Sequence, residues 1–202
     1  MRVVIGYDPN AGTHARIARD VCESMGITVV DMRGEDPIYA NTAIHAANMI
    51  VSGQADRGIL ICGTGIGMSI AANKVRGAYA ALISDAYSAV RAEKSNNANI
   101  ACFGAFTLGE KVMESLLRIW LSAEYQDGTP SAPKVQVARR LEEGGYRARL
   151  ILQVHDELVV ECPLAEADEV SALVQSTMEG VVSLKVPLLA EVSRGSDWEK
   201  AH

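Results

Sequence analysis

Short apolar runs alternate with longer segments of helical periodicity over the first 123 residues, and this alternation limits the chain to few folds. Five runs have the length and composition of buried strands: residues 2–8, 27–32, 57–62, 78–83 and 99–104. The segments that follow them place apolar side chains at helical spacing: residues 13–25, 39–52, 66–75, 84–94 and 107–123. Strands separated by helices of this length indicate an α/β fold, in which a parallel sheet has helices on both faces. In such sheets, ligands bind at the carboxyl ends of the strands.

The pattern changes in the last third of the chain. Residues 124–134 contain two prolines and are predicted to form a loop, and a charged helix then ends at Gly144 and Gly145. Beyond these glycines a small C-terminal ββαβ fragment is predicted. It has two β-rich runs within 148–163, a helix at 165–182 and a strand at 187–193. We therefore expect one domain at 1–145 and a second at 146–202.

Composition and charge exclude several classes of protein. The chain is 49% hydrophobic and 22% charged, which excludes extensive disorder. No apolar run reaches the roughly 18 residues of a membrane span, and the apolar start is too short for a signal peptide, so no membrane partner is expected. The four cysteines lack metal-ligand spacing, so we expect no metal and reduced, cytoplasmic thiols. Residues 147–202 carry 5 Lys and Arg against 10 Asp and Glu, and because this charge repels phosphate backbones, no nucleic-acid partner is expected.

The sharpest motif is ILICGTGIGMSIAANK at residues 59–74. A predicted strand ends at Cys62, and a glycine loop then leads into a helix; its residues are Gly63, Thr64, Gly65, Ile66 and Gly67. Glycines allow successive amides to converge on an anion, and the start of a helix adds partial positive charge. The spacing differs from that of a P-loop, which continues Gly-Lys-Ser/Thr, and from that of the dinucleotide-binding fingerprint.

Cys62 lies where this loop can change its chemistry. Amide dipoles stabilise a thiolate, and they equally stabilise an oxyanion that develops on a substrate. A base beside an oxyanion site is what proton transfer next to a carbonyl group requires. The alternative is a buried structural cysteine in a tight strand–helix turn, because most free cysteines are inert core residues.

Three segments carry a resemblance to a known family: GYD at 6–8, the glycine-loop motif at 59–74 and KSNNANI at 94–100. Over residues 1–146 the chain resembles the type B ribose-5-phosphate isomerases and the related lactose-operon galactose-6-phosphate isomerases. The resemblance implies a Rossmann-like α/β/α sandwich with a parallel five-stranded sheet. It also implies a homodimer or tetramer with sites at the subunit interface, and aldose–ketose isomerisation without metal or cofactor.

The same resemblance implies roles for individual residues. Cys62 is the catalytic base that moves a proton between C1 and C2 of the sugar through a cis-enediol, and Thr64 and the amides of the glycine loop hold the substrate oxygens. Asp8, at the end of the first strand, contacts sugar hydroxyls, and Asn96 helps to bind substrate. From the residues alone, Asp8 can equally be a turn residue, and Thr64 a helix N-cap.

The chain departs from the family pattern at three places. The family's first strand ends Asp-His, whereas Pro9 stands here and cannot donate a hydrogen bond to a phosphate. Ser95, kept as a substrate-binding candidate, replaces the family's ring-opening histidine. The phosphate-binding arginines expected after the last helix are absent from 128–134, where Lys134 is the one cation; it binds the phosphate or is a solvated surface lysine.

These departures bear on the substrate. Pentose and hexose phosphates rest mostly as rings, and a serine has no useful pKa for ring opening. A tetrose 4-phosphate cannot close a furanose, because its phosphate blocks O4. A family branch similar to this chain in its DPNA, DPIYAN and SAPKV segments is associated with tetrose phosphates. We therefore predict an isomerase of a short sugar phosphate such as erythrulose 4-phosphate. If His14 or His45, which are otherwise expected to be helix-interior residues, opens the ring instead, the substrate is a pentose or hexose phosphate such as ribose 5-phosphate; a catalytically silent sugar-phosphate-binding protein is the second hypothesis.

The C-terminal run LILQVHDELVVECP at 150–163 places adjacent carboxylates, Asp156 and Glu157, at a predicted hairpin tip. This run and residues 186–202 resemble motif C and the end of the palm domain of bacterial family A DNA polymerases, of the DNA polymerase I kind. Adjacent acids can bind Mg²⁺, but a two-metal site needs a further aspartate from a separate strand, and a polymerase also needs fingers and a basic cleft. We therefore expect this fragment to be inactive.

Overall fold

The computed structural model describes residues 1–127, 132–154, 157–181 and 186–201. The chain divides into two compact units, Met1–Tyr125 and Gln126–His202. No helix within the described ranges is both long and apolar enough to cross a lipid bilayer.

The first unit alternates strands and helices as predicted. Its strands are β1 (Arg2–Tyr7), β2 (Thr28–Arg33), β3 (Arg57–Cys62), β4 (Ala80–Leu82) and β5 (Ile100–Gly104). Its helices are α1 (Gly12–Ser24), α2 (Tyr39–Val51), α3 (Ile66–Ala72), α4 (Ala86–Lys94) and α5 (Glu110–Ser122), with a 3-10 turn at Pro9–Ala11. Each predicted end lies within about three residues of the observed one, because glycines and apolar spacing mark where these elements stop.

The five strands form one parallel sheet in the order β2-β1-β3-β5-β4. Helices α1, α4 and α5 cover one face, where Ile61 and Phe103 lie in the core. Helices α2 and α3 cover the other face, where Leu60, Cys62 and Met68 are packed together. Because β3 is buried on both faces, it consists of a continuous apolar run rather than an alternating one. The predicted α/β/α sandwich with a five-stranded parallel sheet is confirmed.

The strand order has a topological switch point between β1 and β3. The connection from β1 leads outward to β2 at one edge, and the connection from β3 leads to the other half of the sheet. Crevices at such a switch point are where open α/β sheets bind ligands. The strand register pairs Tyr7 with Ile61 and Cys62 with Gly104. Asp8 and the glycine loop therefore leave the sheet side by side.

The second unit has its own small apolar core. Its elements are α6 (Ala132–Glu143), β6 (Arg149–Val154), β7 (Glu157–Glu161), α7 (Ala167–Gly180) and α8 (Trp198–Ala201). Strands β6 and β7 pair antiparallel, and Val137 and Leu141 of α6 pack with Val170 of α7. Because α6 packs within this unit, the units divide between residues 125 and 126, earlier than the boundary expected near 145.

Residues 187–193 form no strand, which corrects the predicted ββαβ pattern. Instead, the Ala190 amide donates to the Glu179 carboxylate over 3.1 Å, and the Ala190 carbonyl accepts from the Gln175 side chain over 2.9 Å. Side chains of α7 thus satisfy backbone groups that a strand would pair with a neighbouring strand. Glu157 is exposed at the start of β7, and Asp156 lies outside the described residues.

Candidate active site

Cys62 is the last residue of β3, and its side chain lies on the sheet face that α2 and α3 cover. The residue keeps 5% of its surface exposed. The amide of Gly65 donates a hydrogen bond to Sγ over 3.2 Å. A backbone N–H aimed at sulfur is placed to stabilise negative charge on that atom. Cys62 is thus a nearly buried residue whose sulfur accepts a hydrogen bond from the loop backbone.

Gly65 reaches the sulfur through a backbone conformation that favours glycine. Its φ is +78°, and a Cβ atom at this position would lie 2.9 Å from the carbonyl carbon of Phe103 in β5. A side chain here would both strain the backbone and push the loop away from the sheet. The middle glycine of the motif is therefore needed to aim an amide at Cys62.

Two backbone hydrogen bonds hold the glycine loop to the chain that follows β5. The Ala105 amide donates to the Cys62 carbonyl over 2.8 Å, and the Phe106 amide donates to the Gly63 carbonyl over 2.9 Å. Thr64 is exposed between these anchors and α3, and its hydroxyl accepts a long, 3.4 Å hydrogen bond from the Ile66 amide. The N-cap of α3 is Gly65, with no side-chain cap, so the N-cap role that the sequence allowed for Thr64 is not observed, and its hydroxyl makes this long contact from the residue before the cap.

Asp8 lies next to the Cys62 strand. Its amide donates to the Ile61 carbonyl over 2.8 Å. Its carboxylate accepts from both the backbone and the side-chain nitrogen of Asn10, each over 2.9 Å, and so caps the 3-10 turn that begins at Pro9. The turn role that the sequence allowed is observed. It also holds the half-buried carboxylate at the edge of the sheet where the glycine loop emerges.

Ser95 and Asn96 instead cap the carboxyl end of α4. The Ser95 hydroxyl is buried and donates to the Arg91 carbonyl over 2.9 Å. The Asn96 side chain is exposed and donates to the same carbonyl over 3.0 Å. The serine hydroxyl is thus committed to a backbone partner, whereas the Asn96 carboxamide still faces solvent.

The structure does not bring Asn96 to Cys62 within one chain. Asn96 precedes Ile100, the first residue of β5, which pairs with Gly58 near the start of β3. Cys62 lies four positions after Gly58, which at about 3.3 Å per residue is roughly 13 Å along the strand. The two predicted site residues therefore lie at opposite ends of the sheet, with Cys62 at the carboxyl ends of the strands and Asn96 at the amino ends.

The two histidines considered for ring opening have partners in the described structure. His14 Nε2 lies 3.0 Å from the Leu108 carbonyl oxygen, and His45 Nε2 lies 2.8 Å from an Asp31 carboxylate oxygen. The Lys134 side chain lies outside the described part of the chain.

Two aromatic rings contact the glycine loop, and the sequence motifs did not point to them. A Cβ atom at Gly63 would lie 2.9 Å from the ring of Phe106, and one at Gly67 would overlap the ring and hydroxyl of Tyr39. In the sequence, only the glycines at positions 63 and 67 indicate these contacts, because a residue without a side chain allows a neighbouring group to pack closely on the loop.

Two other cysteines of the first unit, Cys22 and Cys102, are fully buried in the core. Burial raises the pKa of the Cys22 thiol to about 11. Burial, and then the nearby Cys62, raise the pKa of Cys102 well above its ordinary range. Both thiols therefore stay protonated at neutral pH and are inert core residues.

Comparison with known proteins matches this arrangement to a family. The family model described as Ribose/Galactose Isomerase matches residues 3–137. The chain belongs to this family. It is 44% identical over 140 residues to the D-erythrulose-4-phosphate isomerase of Pectobacterium atrosepticum. This match covers 67% of this chain and 91% of that protein. Its structure is similar to that of ribose-5-phosphate isomerase B from Clostridium thermocellum, with a TM-score of 0.66 and 34% identity over 72% of this chain and 99% of that one.

The C-terminal part has a separate likeness. The family model of DNA polymerase family A matches residues 133–200. The chain is 43% identical over 89 residues to DNA polymerase I of Synechocystis. This match covers 43% of this chain but 9% of that protein. The isomerase and polymerase matches overlap within α6, at residues 133–137. Both resemblances predicted from the motifs are confirmed.

Proposed function

We propose that this member of the ribose/galactose isomerase family interconverts an aldose phosphate and a ketose phosphate of four carbons, with D-erythrulose 4-phosphate as the ketose. The observation that carries the proposal is the Gly65 amide, which donates to the buried Cys62 sulfur at the carboxyl edge of the sheet. The relative from Pectobacterium atrosepticum, named a D-erythrulose-4-phosphate isomerase, supports the choice of substrate.

In the proposed reaction Cys62 acts as a thiolate base. It removes a proton from C1 of the ketose, the electrons form the C1–C2 double bond of a cis-enediol, and the carbonyl oxygen gains the negative charge. Amides of the glycine loop and the Thr64 hydroxyl donate to the substrate oxygens, and so stabilise this charge. The hydroxyl proton on O1 then passes to the O2 oxyanion, the thiol returns its proton to C2, and C1 becomes the aldehyde carbon of the aldose. The chemistry needs no metal or cofactor, because the proton acceptor and the donors all come from the chain.

An acyclic substrate suits the residues at hand. The buried Ser95 hydroxyl donates its hydrogen bond to the Arg91 carbonyl, so Ser95 offers no group that could open a sugar ring. Tetrose 4-phosphates need no such group. Ribose 5-phosphate, and with it a place in the pentose phosphate pathway, is the competing assignment. It requires His14 or His45 to leave its present partner.

We also propose that two copies of the chain form the complete site. Asn96 lies at the amino ends of the strands and Cys62 at their carboxyl ends, so the exposed Asn96 carboxamide can reach a substrate at Cys62 only on a second copy. Exposed apolar side chains surround the edge strand β4 and supply an interface: Ile66, Ile70, Leu82 and Tyr87. Light scattering on the wild type should give a homodimer or tetramer. Ile70→Asp should dissociate it and remove activity, and an active monomer would contradict this part of the proposal.

The remaining assignments extend the proposal to the whole chain. Asp8 contacts sugar hydroxyls, and Lys134 remains the candidate cation for the phosphate. We assign the isomerase activity to residues 1–145 and none to the polymerase-like remainder, and we place the protein in the cytoplasm, where its thiols stay reduced.

The test compares three substrates and one variant. Rates of isomerisation are measured for erythrulose 4-phosphate, ribose 5-phosphate and galactose 6-phosphate side by side. We expect the highest kcat/KM for erythrulose 4-phosphate, and a large preference for ribose 5-phosphate would contradict the acyclic argument. Cys62→Ala should abolish turnover and keep ligand affinity. A wild type that binds but converts none of the three substrates would support the sugar-phosphate-binding alternative.

A further inference from the structure

Tyr39, the first residue of α2, lies at the end of the glycine loop that is farther from Cys62. A Cβ atom at Gly67 would overlap both its ring and its hydroxyl oxygen. The ring therefore contacts the start of α3, whereas the Gly65 amide marks the part of the loop next to the thiol. Tyr39 keeps about 40% of its surface exposed, so a ligand can reach it.

Helix α2 covers the same sheet face as the thiol. Thr42, one turn along α2, would lie 2.8 Å from a Cβ atom at Gly6 of β1. The first turn of α2 therefore extends from the carboxyl end of β1 to the glycine loop. As a result Tyr39, Asp8 and Cys62 surround one region at the edge of the sheet.

The turn before α2 holds Tyr39 in place. The Asp36 carboxylate accepts from the Ile38 amide over 2.7 Å and from the Asn41 side chain over 3.1 Å. Among the residues that the structure describes, the Tyr39 hydroxyl has no hydrogen-bond partner. A phenol that is fixed beside a glycine loop and keeps its donor is suited to an oxygen atom of a ligand.

From these contacts we infer that Tyr39 determines substrate length: its ring bounds the space available to a substrate at the Gly67 end of the glycine loop, and its hydroxyl binds the phosphate-bearing end of the substrate. This inference rests on the proposed function, which places C1 and C2 at Cys62. The remaining carbons then run along the loop towards Gly67, where they meet the ring. A chain that is longer by one carbon has to displace Tyr39, so the residue favours a tetrose phosphate over a pentose phosphate.

Two substitutions separate the hydroxyl from the ring. Tyr39→Phe removes the donor alone and should raise KM for erythrulose 4-phosphate about tenfold at nearly constant kcat, because a hydrogen bond to a charged group contributes at least this factor. Tyr39→Ala removes the wall and should raise the ratio of kcat/KM for ribose 5-phosphate to that for erythrulose 4-phosphate about tenfold. Tyr146→Phe, a tyrosine of the second unit, is the matched control and should change neither quantity.

Binding is measured separately from turnover with 4-phosphoerythronate, an acid that cannot isomerise. Calorimetry should show an affinity about tenfold lower for Tyr39→Phe than for the wild type, with Tyr146→Phe unchanged. Unaltered affinity, KM and substrate ratio in both Tyr39 variants would overturn the inference. Tyr39-dependent binding of the acid by a wild type that isomerises no sugar phosphate would refute the proposed function and leave this inference standing.

Discussion

Replacing Gly65 by alanine tests whether the loop backbone controls the chemistry of Cys62. The φ of +78° costs an alanine about 1–2 kcal/mol. The new Cβ would lie 2.9 Å from the Phe103 carbonyl carbon, and such overpacking costs a further 1–3 kcal/mol or so. We expect the free energy of unfolding of the first unit to fall by about 2–5 kcal/mol. Because the amide now 3.2 Å from Sγ moves away, kcat/KM should fall by about 10–10², the value of one hydrogen bond to a charged group.

Gly26→Ala is the matched control for this prediction. Gly26 has a similar φ of +71°, but no atom lies within 4 Å of a Cβ built there. The control carries the conformational cost alone, about 1–2 kcal/mol, and should leave kcat/KM unchanged. Hydrogen exchange at the amides of β1 and β3 reports the stability of the first unit, and initial rates with erythrulose 4-phosphate report activity. Equal effects of the two substitutions on both quantities would refute the reasoning.

Three further perturbations test packing and charge. Glu93→Gln leaves Arg57, now 2.9 Å from the Glu93 carboxylate, as an unpaired buried charge and should lower the free energy of unfolding by about 3 kcal/mol in urea titrations; a change below about 1 kcal/mol would contradict this. Burial raises the pKa of Asp31, but hydrogen bonds from His45 and Arg33 outweigh this effect, so the pKa of Asp31 is lowered overall. A carboxyl whose pKa is lower in the folded than in the unfolded state stabilises the fold above about pH 4 and loses this effect as the pH falls through the folded-state pKa, so Asp31→Asn should flatten the acid side of the stability curve. A chain ending at Gly145 should keep kcat/KM nearly intact, because it retains every residue assigned to the site, Lys134 included; a folded but inactive product would argue against the assignment of activity to residues 1–145.

Much of the first unit was predictable because local and tertiary signals agree there. The run RGILIC has the apolar continuity that a strand buried on both faces requires, and it is the central strand of the sheet. Gly26 and Gly53 adopt positive φ after α1 and α2, at the helix ends that they predicted. The position of Cys62 at the end of β3 followed from the same pattern.

The failures and omissions concern contacts between segments far apart in sequence. Residues 187–193 have strand-like composition, but strands form only against a partner, and here side chains of α7 satisfy the backbone instead. The distance of Asn96 from Cys62 depends on the placement of β5 beside β3, which periodicity does not reveal. The contact between Tyr39 and Gly67 likewise depends on how α2 packs against α3.

Isomerisation in deuterated water tests the central claim most directly. A thiolate that carries a proton between C1 and C2 exchanges part of it with solvent, so nuclear magnetic resonance should show deuterium entering C1 of erythrulose 4-phosphate with the wild type. The Cys62→Ala protein, folded by circular dichroism, should incorporate none above the uncatalysed rate. Equal incorporation by both proteins would contradict the role of Cys62.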